Sequence, residues 1–444
     1  MNTPICDFVQ NYISRDASRF HMPGHKGASF LGCEPMDITE IGGADVLYSP
    51  DGIIAESENN ATALFGSAHS FYSAEGSSLA IRAMLGLLRL GITDRKPLVL
   101  AARNAHKTFI YACALLDLHV EWLCPERFLS PCDCNIPPHV LQKRLSEMPE
   151  KPDAVYVTSP DYLGNIADVR GLSKVCDRFN IPLFVDNAHG AYLRFLEPSL
   201  HPLDLGAAVC CDSAHKTLPV LTGGAYLHIS KKAPAAYLAA ARKYLSLFAS
   251  TSPSYLILAS LDRCNAHLAD GYGEKLAKTV QKLKKVATRV SKFGFCVLEC
   301  EPLKLVINAK KSGYRGDILA SLLSERNVEC EFADPDYLVL MVTPETRDSD
   351  LERLVTALAE LGARPALPET EHTVPPISVC LTPREAIFAP SEAVPVKESV
   401  GRICAAPTVA CPPAVPIVIS GERISESHVR LMQYYGHESV DAVK

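Results

Sequence analysis

A regular alternation of apolar runs and helical segments between residues 60 and 230 constrains the fold of this chain more than any other feature. Strands that are buried on both faces are continuously apolar, and they occur mainly in parallel sheets covered by helices. A stretch of helical periodicity, residues 167–180, separates two of the runs. The pattern therefore predicts an α/β fold with a large, mostly parallel sheet between helices. The apolar runs are residues 97–102, 154–159, 181–186 and 207–212.

The remainder of the chain predicts a second, smaller α/β unit and two flanking segments. Residues 232–290 follow a helical period, and short strands are expected at 304–309 and 337–342. Prolines recur after Arg364, so we expect an extended tail that packs on the body. We predict an N-terminal arm (1–50), a large domain (51–270), a small α/β C-terminal domain (271–370) and a C-terminal segment (371–444).

The composition argues against several classes of protein. The 444 residues carry a net charge of −6 without a long basic run, which disfavours binding to nucleic acid or to a membrane surface. No apolar stretch approaches the roughly 18–20 residues that span a membrane, and the N-terminus lacks the pattern of a signal peptide. The 16 cysteines include no pair of C-x-x-C units, so no metal site is expected. We therefore predict a cytoplasmic protein with a small-molecule ligand.

Lys216 follows the last apolar run, in the stretch SAHKTLPVLTGG (213–224). Most lysines are exposed surface residues, but the residues after Lys216 are nearly uncharged. A lysine in such surroundings is either disfavoured by lost solvation or deprotonated for chemistry. Asp186 ends the preceding apolar run, where it could also be a helix cap or a turn residue. A lysine and a carboxylate at neighbouring strand ends suit pyridoxal phosphate, which needs a Schiff-base amine and a partner for its pyridine nitrogen.

Two further stretches fit the same cofactor. Gly76, Ser77 and Ser78 precede a helical pattern, and the start of a helix can bind a phosphate group. These residues could equally be an ordinary helix start with a serine cap. His106 follows another strand, where its imidazole could stack on the cofactor ring or make a hydrogen bond within a loop.

These residues and their neighbours resemble the bacterial Orn/Lys/Arg decarboxylase family. The resemblance implies the aspartate-aminotransferase-like fold, fold type I of the pyridoxal phosphate enzymes. It is closest to the short forms, such as biosynthetic arginine decarboxylases, which lack an N-terminal receiver-like domain. The matching motifs include MPGHKG (22–27), EGSS (75–78), RNAHKT (103–108), FVDNAHGAYLRF (184–195) and SAHKTLPVLTGG (213–224).

The resemblance assigns roles to individual residues. Lys216 is implied to form the Schiff base, and Asp186 to pair with the pyridine nitrogen. Ala188 is implied to lie under the ring and His106 on its other face. Lys216 or His215 is the implied proton donor to the substrate carbon. The residues implied to lie near the phosphate are Gly76, Ser77, Ser78, Ser213 and His215.

The implied reaction is the decarboxylation of arginine to agmatine and CO₂ for polyamine synthesis, with lysine or ornithine as alternative substrates. An aminotransferase or lyase would instead need an arginine for the α-carboxylate, for which Arg384 and Arg402 are candidates. An inactive homologue with a binding role is a third reading. The distal cation of the substrate needs a carboxylate, and the candidates are Asp45, Asp161 and Glu392.

The resemblance also implies a homodimer or larger homo-oligomer with the active site at the interface. The arm around His25 and Lys26 would complete the site of a neighbouring subunit. Thr251 or Ser252 would reach the neighbour's phosphate.

The sequence departs from the family pattern at a few positions. Asn187 and Gly223 replace an acid and a common glutamine, while Cys411 and Ala414 alter a Tyr-Pro-Pro-Gly pattern that borders the substrate pocket.

Overall fold

The computed structural model describes residues 1–125, 130–368, 375–407 and 413–444. Within these ranges the α-helices are α1 (Pro4–Ser14), α2 (Ile53–Phe65), α3 (Gly76–Gly86), α4 (Lys107–Leu116), α5 (Pro138–Glu147), α6 (Val169–Arg178), α7 (Pro202–Leu205), α8 (Ala214–Thr217), α9 (Ala235–Phe248), α10 (Tyr255–Ala269), α11 (Tyr272–Lys292), α12 (Gly316–Ser324), α13 (Asp348–Leu361), α14 (Pro383–Phe388) and α15 (Glu426–Tyr434). The strands are β1 (His69–Ser73), β2 (Leu98–Ala102), β3 (His119–Leu123), β4 (Ala154–Thr158), β5 (Leu183–Asp186), β6 (Val209–Asp212), β7 (Ala225–Ile229), β8 (Cys296–Leu298), β9 (Lys304–Asn308), β10 (Phe332–Ala333), β11 (Tyr337–Met341), β12 (Ser391–Pro395) and β13 (Ser439–Val443).

The chain folds as two units, each assembled from three separate stretches. The domain boundaries expected at residues 50, 270 and 370 stay a prediction. The first unit comprises Met1–Val99, Leu141–Ser159 and Asp168–Glu274, and the second comprises Leu100–Val140, Pro160–Ala167 and Lys275–Lys444.

The first unit contains five strands of a seven-stranded sheet, in the order β1-β7-β6-β5-β4. Strands β4, β5 and β6 pair in parallel, and β7 is antiparallel to both β6 and β1. Four of these five strands therefore run in one direction, which confirms the predicted mostly parallel sheet. Nearly every residue of β4, β5 and β6 is buried, and this double-sided burial explains their continuously apolar sequence.

Helix α1 lies in the segment that the sequence analysis interpreted as an N-terminal arm, for which it predicted no helix. Its side chains Ile5, Val9 and Tyr12 are buried. The backbone N–H groups of Ile5 and Cys6 both donate to Oδ2 of Asp262, at 3.0 Å. This carboxylate of α10 pairs with the N-terminus of α1, where free N–H groups and the helix dipole favour a negative charge. The start of the chain is thereby tied to the first unit.

The second unit is built on a four-stranded sheet in the order β10-β11-β9-β8, with antiparallel pairing throughout. The predicted strands at 304–309 and 337–342 are β9 and β11, which confirms this smaller α/β unit. The expectation of an extended tail after Arg364 is wrong for α14 and α15. Both helices begin with a capping box, in which Thr382 pairs with Glu385 and Ser425 with His428. In the described residues, no helix is long and apolar enough to cross a membrane.

Most cysteines of the described chain are packed inside it rather than exposed. Burial raises the pKa of the thiols of Cys113, Cys132 and Cys210, as it does for several others. Cys33 and Cys380 are the exposed cysteines among the described residues. The buried thiols act as small apolar side chains of the core.

A buried charge network lies at the end of β6. The carboxylate of Asp212 accepts hydrogen bonds from Asn187 Nδ2 at 2.7 Å, His201 Nε2 at 3.0 Å and His228 Nε2 at 3.2 Å. Burial by itself would raise the pKa of Asp212, but the two histidines outweigh it and hold that pKa well below its usual range. On the far side of one ring, His228 Nδ1 bonds to the hydroxyl of Ser70 at 2.8 Å. The network joins β6 to β7 and to the loop after β5.

The same cluster has the composition of a metal site, since ligand atoms of His201, Cys210 and Asp212 lie within 4.8 Å of one another. However, Nδ1 of His201 accepts the backbone N–H of Leu203 at 3.4 Å, which leaves the ring proton on Nε2. That proton is donated to Asp212. The hydrogen bonds alone therefore account for this cluster.

We expect Asp212→Asn to lower the free energy of unfolding by about 3–5 kcal/mol, because removal of one partner leaves a buried polar network unbalanced. Urea denaturation of the purified protein measures this change. The matched control is Asp204→Asn, since Asp204 pairs with Arg194 at the surface and should cost less than about 1 kcal/mol. A similar small loss for both variants would contradict this account of the network.

Candidate active site

Lys216 lies in α8, which begins directly after β6. The side chain is partly buried, and its Nζ lies 3.1 Å from Nε2 of His189. His189 is itself buried and follows β5, the neighbouring parallel strand. The carboxyl ends of two adjacent strands thus bring an amine and an imidazole together, at the edge where α/β sheets bind ligands.

Asp186 is the last residue of β5, and only 2% of its surface is exposed. Its Oδ2 accepts a hydrogen bond from the hydroxyl of Tyr156 at 3.2 Å, and its Oδ1 accepts the N–H of Ala188 at 3.1 Å. Burial raises the pKa of Asp186, and the positive charge of Lys216 opposes that rise. The structure therefore places the charge of Lys216 near the carboxylate of Asp186, which Ala188 contacts through its N–H, and the roles expected of these residues stay predictions.

The start of α3 lies against the Lys216 loop. The N–H of Gly76 donates to the carbonyl of Gly223 at 2.6 Å, and the N–H of Gly223 points to Nδ1 of His215 at 3.3 Å. The same imidazole nitrogen lies 3.3 Å from the hydroxyl of Ser213. Ser77 and Ser78 occupy the first turn of α3 and are partly exposed, and no side chain caps this helix. The predicted phosphate residues thus gather around the N-terminus of α3.

Gly223 lies where two loops approach each other closely. Its φ is +103°, a conformation that strains any residue with a side chain. A Cβ atom would lie 3.0 Å from Cδ1 of Ile257 and 3.2 Å from the carbonyl oxygen of Ala74. Glycine permits the close approach of the two loops here.

Asn187 and His189 are the functional positions that sequence reasoning missed. Asn187 was noted only as a departure from the family, yet its amide donates to Asp212 and so connects the site to the buried charge network. Gly190 must stay small, because a Cβ atom would lie 2.0 Å from Oδ1 of Asn187. The sequence did contain a signal for His189, because the motif DNAHG places this histidine three residues after Asp186.

His106 belongs to the second unit, where it caps α4. Its Nδ1 accepts the N–H of Thr108 at 3.1 Å and bonds to the hydroxyl of the same residue at 2.9 Å. The next residue, Lys107, donates its N–H to the carbonyl of Ala414 at 2.9 Å. Ala414 adopts a φ of +56°. The altered C-terminal pattern thus contacts the His106 turn, while Cys411 lies outside the described residues.

Asp45, a candidate substrate carboxylate, caps α2. It accepts backbone N–H groups of Val46, Asp51, Gly52 and Ile54 at 2.8–3.0 Å. Burial opposes ionisation, but these hydrogen bonds outweigh it and lower the pKa of Asp45. The structure therefore gives the carboxylate a local structural function, and its contact with substrate stays a prediction.

The other two substrate candidates lie in the second unit. Glu392 is exposed on β12 and pairs with Arg402 at 2.8 Å. Asp161 is buried, and burial raises its pKa to about 7 despite two hydrogen bonds from Asn165. The carbonyl of Asp161 accepts a bond from Nζ of Lys304 at 3.1 Å. The binding of the substrate cation by either residue stays a prediction.

The residues expected at a subunit interface lie in the first unit. His25 is paired with Asp37 at 3.2 Å, and Lys26 donates to the carbonyl of His21 at 2.5 Å. Thr251 and Ser252 are exposed just before α10. Exposure agrees with an interface role, which stays a prediction.

Comparison with protein families gives two matches. Residues 3–299 match the Orn/Lys/Arg decarboxylase major domain, and residues 375–439 match the C-terminal domain of the same family. Uncharacterized protein YaaO of Bacillus subtilis is 31% identical over 97% of this chain and 93% of its own length. Arginine decarboxylase of Bacillus subtilis is 31% identical over 96% of this chain and 92% of its own length.

Solved structures confirm the fold. The lysine decarboxylase LdcF of Francisella novicida superimposes with a TM-score of 0.82 at 17% identity, covering 100% of this chain and 81% of that chain. The predicted large and small α/β arrangement of fold type I is therefore confirmed. The family expected from the motifs is also confirmed, and with it the class of enzyme, an amino-acid decarboxylase. The chain belongs to the Orn/Lys/Arg decarboxylase family.

Proposed function

We propose that this protein decarboxylates arginine to agmatine and CO₂, with pyridoxal phosphate as its cofactor. The observation that carries the proposal is the contact of Lys216 with His189 beside the buried carboxylate of Asp186. Arginine decarboxylase of Bacillus subtilis, a relative that matches over nearly the whole chain, supports arginine as the substrate.

The residues of the first unit fit pyridoxal phosphate. Lys216 provides a primary amine, and Asp186 provides a buried carboxylate. Because burial raises the pKa of Asp186, a cationic partner such as a protonated pyridine nitrogen would stabilise its ionised form. At the start of α3, a Cβ atom on Gly76 would meet no other atom within 4 Å, so there is room for a ligand against the backbone. Ser77, Ser78 and the helix N-terminus would hold its phosphate.

Each residue has a definable task in the reaction. When bound, pyridoxal phosphate supplies an electron sink for the pair released as the bond from Cα to the carboxylate breaks. Asp186 would accept a hydrogen bond from the protonated pyridine nitrogen and so keep the proton on it. Lys216 would supply the primary amine that holds the cofactor. Ala188, bonded through its N–H to Asp186, presents a small apolar surface to the site.

The proton that replaces CO₂ needs a donor near Cα. Lys216 and His189 lie 3.1 Å apart, so a proton can pass between Nε2 and Nζ without a water molecule. His215 is the other candidate, but its Nδ1 is engaged by Ser213 and the Gly223 loop. We therefore propose that Lys216 donates the proton to Cα and that His189 controls the protonation state of the Lys216 amine.

The transferase or lyase alternative finds less support. Arg384 donates to the carbonyls of Ala114 and Leu115 at the end of α4, and Arg402 pairs with Glu392. Both arginines that could bind an α-carboxylate thus have structural partners. An inactive homologue is disfavoured because Lys216 and Asp186 are both kept and lie in one site.

We expect Lys216→Ala to abolish the visible absorbance band of the bound cofactor and to lower activity by about 10³-fold or more, since it removes the nucleophile and the proton donor together. Absorbance spectra and agmatine release measure the two effects. Lys174→Ala is the matched control, because Lys174 is an exposed lysine of the same unit. An unchanged spectrum in Lys216→Ala would rule out the proposed role.

We expect arginine to be turned over with a kcat/KM at least about tenfold above that of lysine or ornithine, because a guanidinium can bind a carboxylate through two hydrogen bonds. The assay detects agmatine, cadaverine and putrescine together with CO₂. Preference for lysine or ornithine would change the assigned substrate. Release of a keto acid instead of CO₂ would identify a transferase.

We expect His189→Gln to lower kcat about 10²-fold with less than a threefold change in KM, and to shift the pH profile of kcat, because it removes a titratable group beside Lys216. The cofactor absorbance band should remain. His119→Gln, at an exposed position, serves as the control. Loss of the absorbance band with no shift in the pH profile would show a structural rather than a proton-handling role.

A further inference from the structure

The second unit contains a cavity of about 390 Å³ that no step of the proposed reaction uses. Its volume lies within the range of small-molecule sites. Much of the wall is apolar or aromatic, formed by Phe332, Pro335, Val415, Ile417 and Tyr434. Such walls suit the hydrocarbon part of a small ligand.

Asp334 is the carboxylate in this wall that is most withdrawn from solvent, with 7% of its surface exposed. It lies in the turn between β10 and β11. Its Oδ1 accepts the N–H groups of Asp336 and Tyr337, at 2.8 and 2.7 Å. Its Oδ2 receives no hydrogen bond from any described residue. One oxygen of the carboxylate therefore fixes the turn, and the other is available to a ligand.

Two cations of this region, one of them in the cavity wall, are paired with other carboxylates. Arg315 binds Asp317 at 2.8 Å, and Lys310 binds Asp336 at 3.2 Å. Burial raises the pKa of Asp334 to about 7, and the negative charges of Asp336 and Asp317 add to the rise. A buried carboxylate that faces like charges either takes up a proton or binds a cation, and a cation that enters the cavity would stabilise its ionised form.

We propose that this cavity binds the cationic end of an aliphatic amine or guanidine, with Asp334 as the charge partner and the apolar wall around the carbon chain. Anionic ligands are disfavoured, since Asp317 and Asp336 lie near the same carboxylate. Two sources share the required chemistry, namely the side chain of a basic amino acid substrate and a free amine product. If the ligand is the substrate side chain, the proposal rests on the proposed function. If the ligand is a separate amine, the proposal goes beyond that function, because the reaction assigns Asp334 no role.

Calorimetric titration of the full chain with agmatine tests the proposal. We use the Lys216→Ala background, which cannot turn over a substrate, so the result does not depend on the proposed reaction. Asp334→Asn should weaken agmatine binding at least tenfold, while Asp348→Asn, at an exposed carboxylate of the same unit that pairs with Lys282 outside the cavity wall, should change it less than twofold. Equal affinity in the Asp334→Asn variant and its parent would overturn the proposal.

Two further measurements make the result decisive. Val415→Trp fills part of the cavity without altering a charge, so it should also weaken agmatine binding. This variant tests the proposal if Asp334→Asn fails to fold. The KM for arginine in Asp334→Asn identifies the source, since a tenfold rise indicates the substrate side chain and an unchanged KM indicates a separate amine. The parent protein could bind no agmatine while Asp334→Asn changes the number of subunits. These two results together would assign the cavity to a protein contact and overturn the proposal.

Discussion

Two carboxylates buried at the ends of neighbouring parallel strands govern the architecture of the first unit. A charge removed from water must be compensated by hydrogen bonds or by an opposite charge. Asp212, at the end of β6, is compensated completely by Asn187, His201 and His228. Asp186, at the end of β5, is compensated only in part, and burial raises its pKa. Asp212 therefore holds the loops in place, whereas Asp186 is able to pair with a bound cation.

The sequence predicted those parts of the fold that depend on local pattern. Buried strands are apolar throughout, so β4, β5 and β6 were found within one or two residues of their observed bounds. Asp186 and Lys216 could be placed together because consecutive parallel strands deliver their last residues to one edge of a sheet. Helix α1 was missed because polar and glycine-rich residues follow it closely, although its buried positions have the spacing of an amphipathic helix.

Contacts that depend on register or on distant segments were not predictable. His228 reaches Asp212 because Cys210 is paired with His228 across β6 and β7, and an antiparallel neighbour of β6 leaves no mark in the sequence. The carboxylates show the same limit. Asp45 and Glu392 were plausible partners for a cation by residue type alone, but one binds backbone N–H groups and the other an arginine. Only the three-dimensional structure shows which carboxylate has no cationic partner.

The burial of most described thiols allows selective labelling of the exposed cysteines for spectroscopy. Among the described residues, Cys33 and Cys380 are the exposed cysteines, whereas the core thiols are shielded and their raised pKa values suppress the reactive thiolate. Among the described cysteines, a maleimide dye would therefore attach to these two positions before it reaches the core thiols. Cys33 belongs to the first unit and Cys380 to the second. A dye on each of these natural cysteines could thus report on the surroundings of its own unit during turnover.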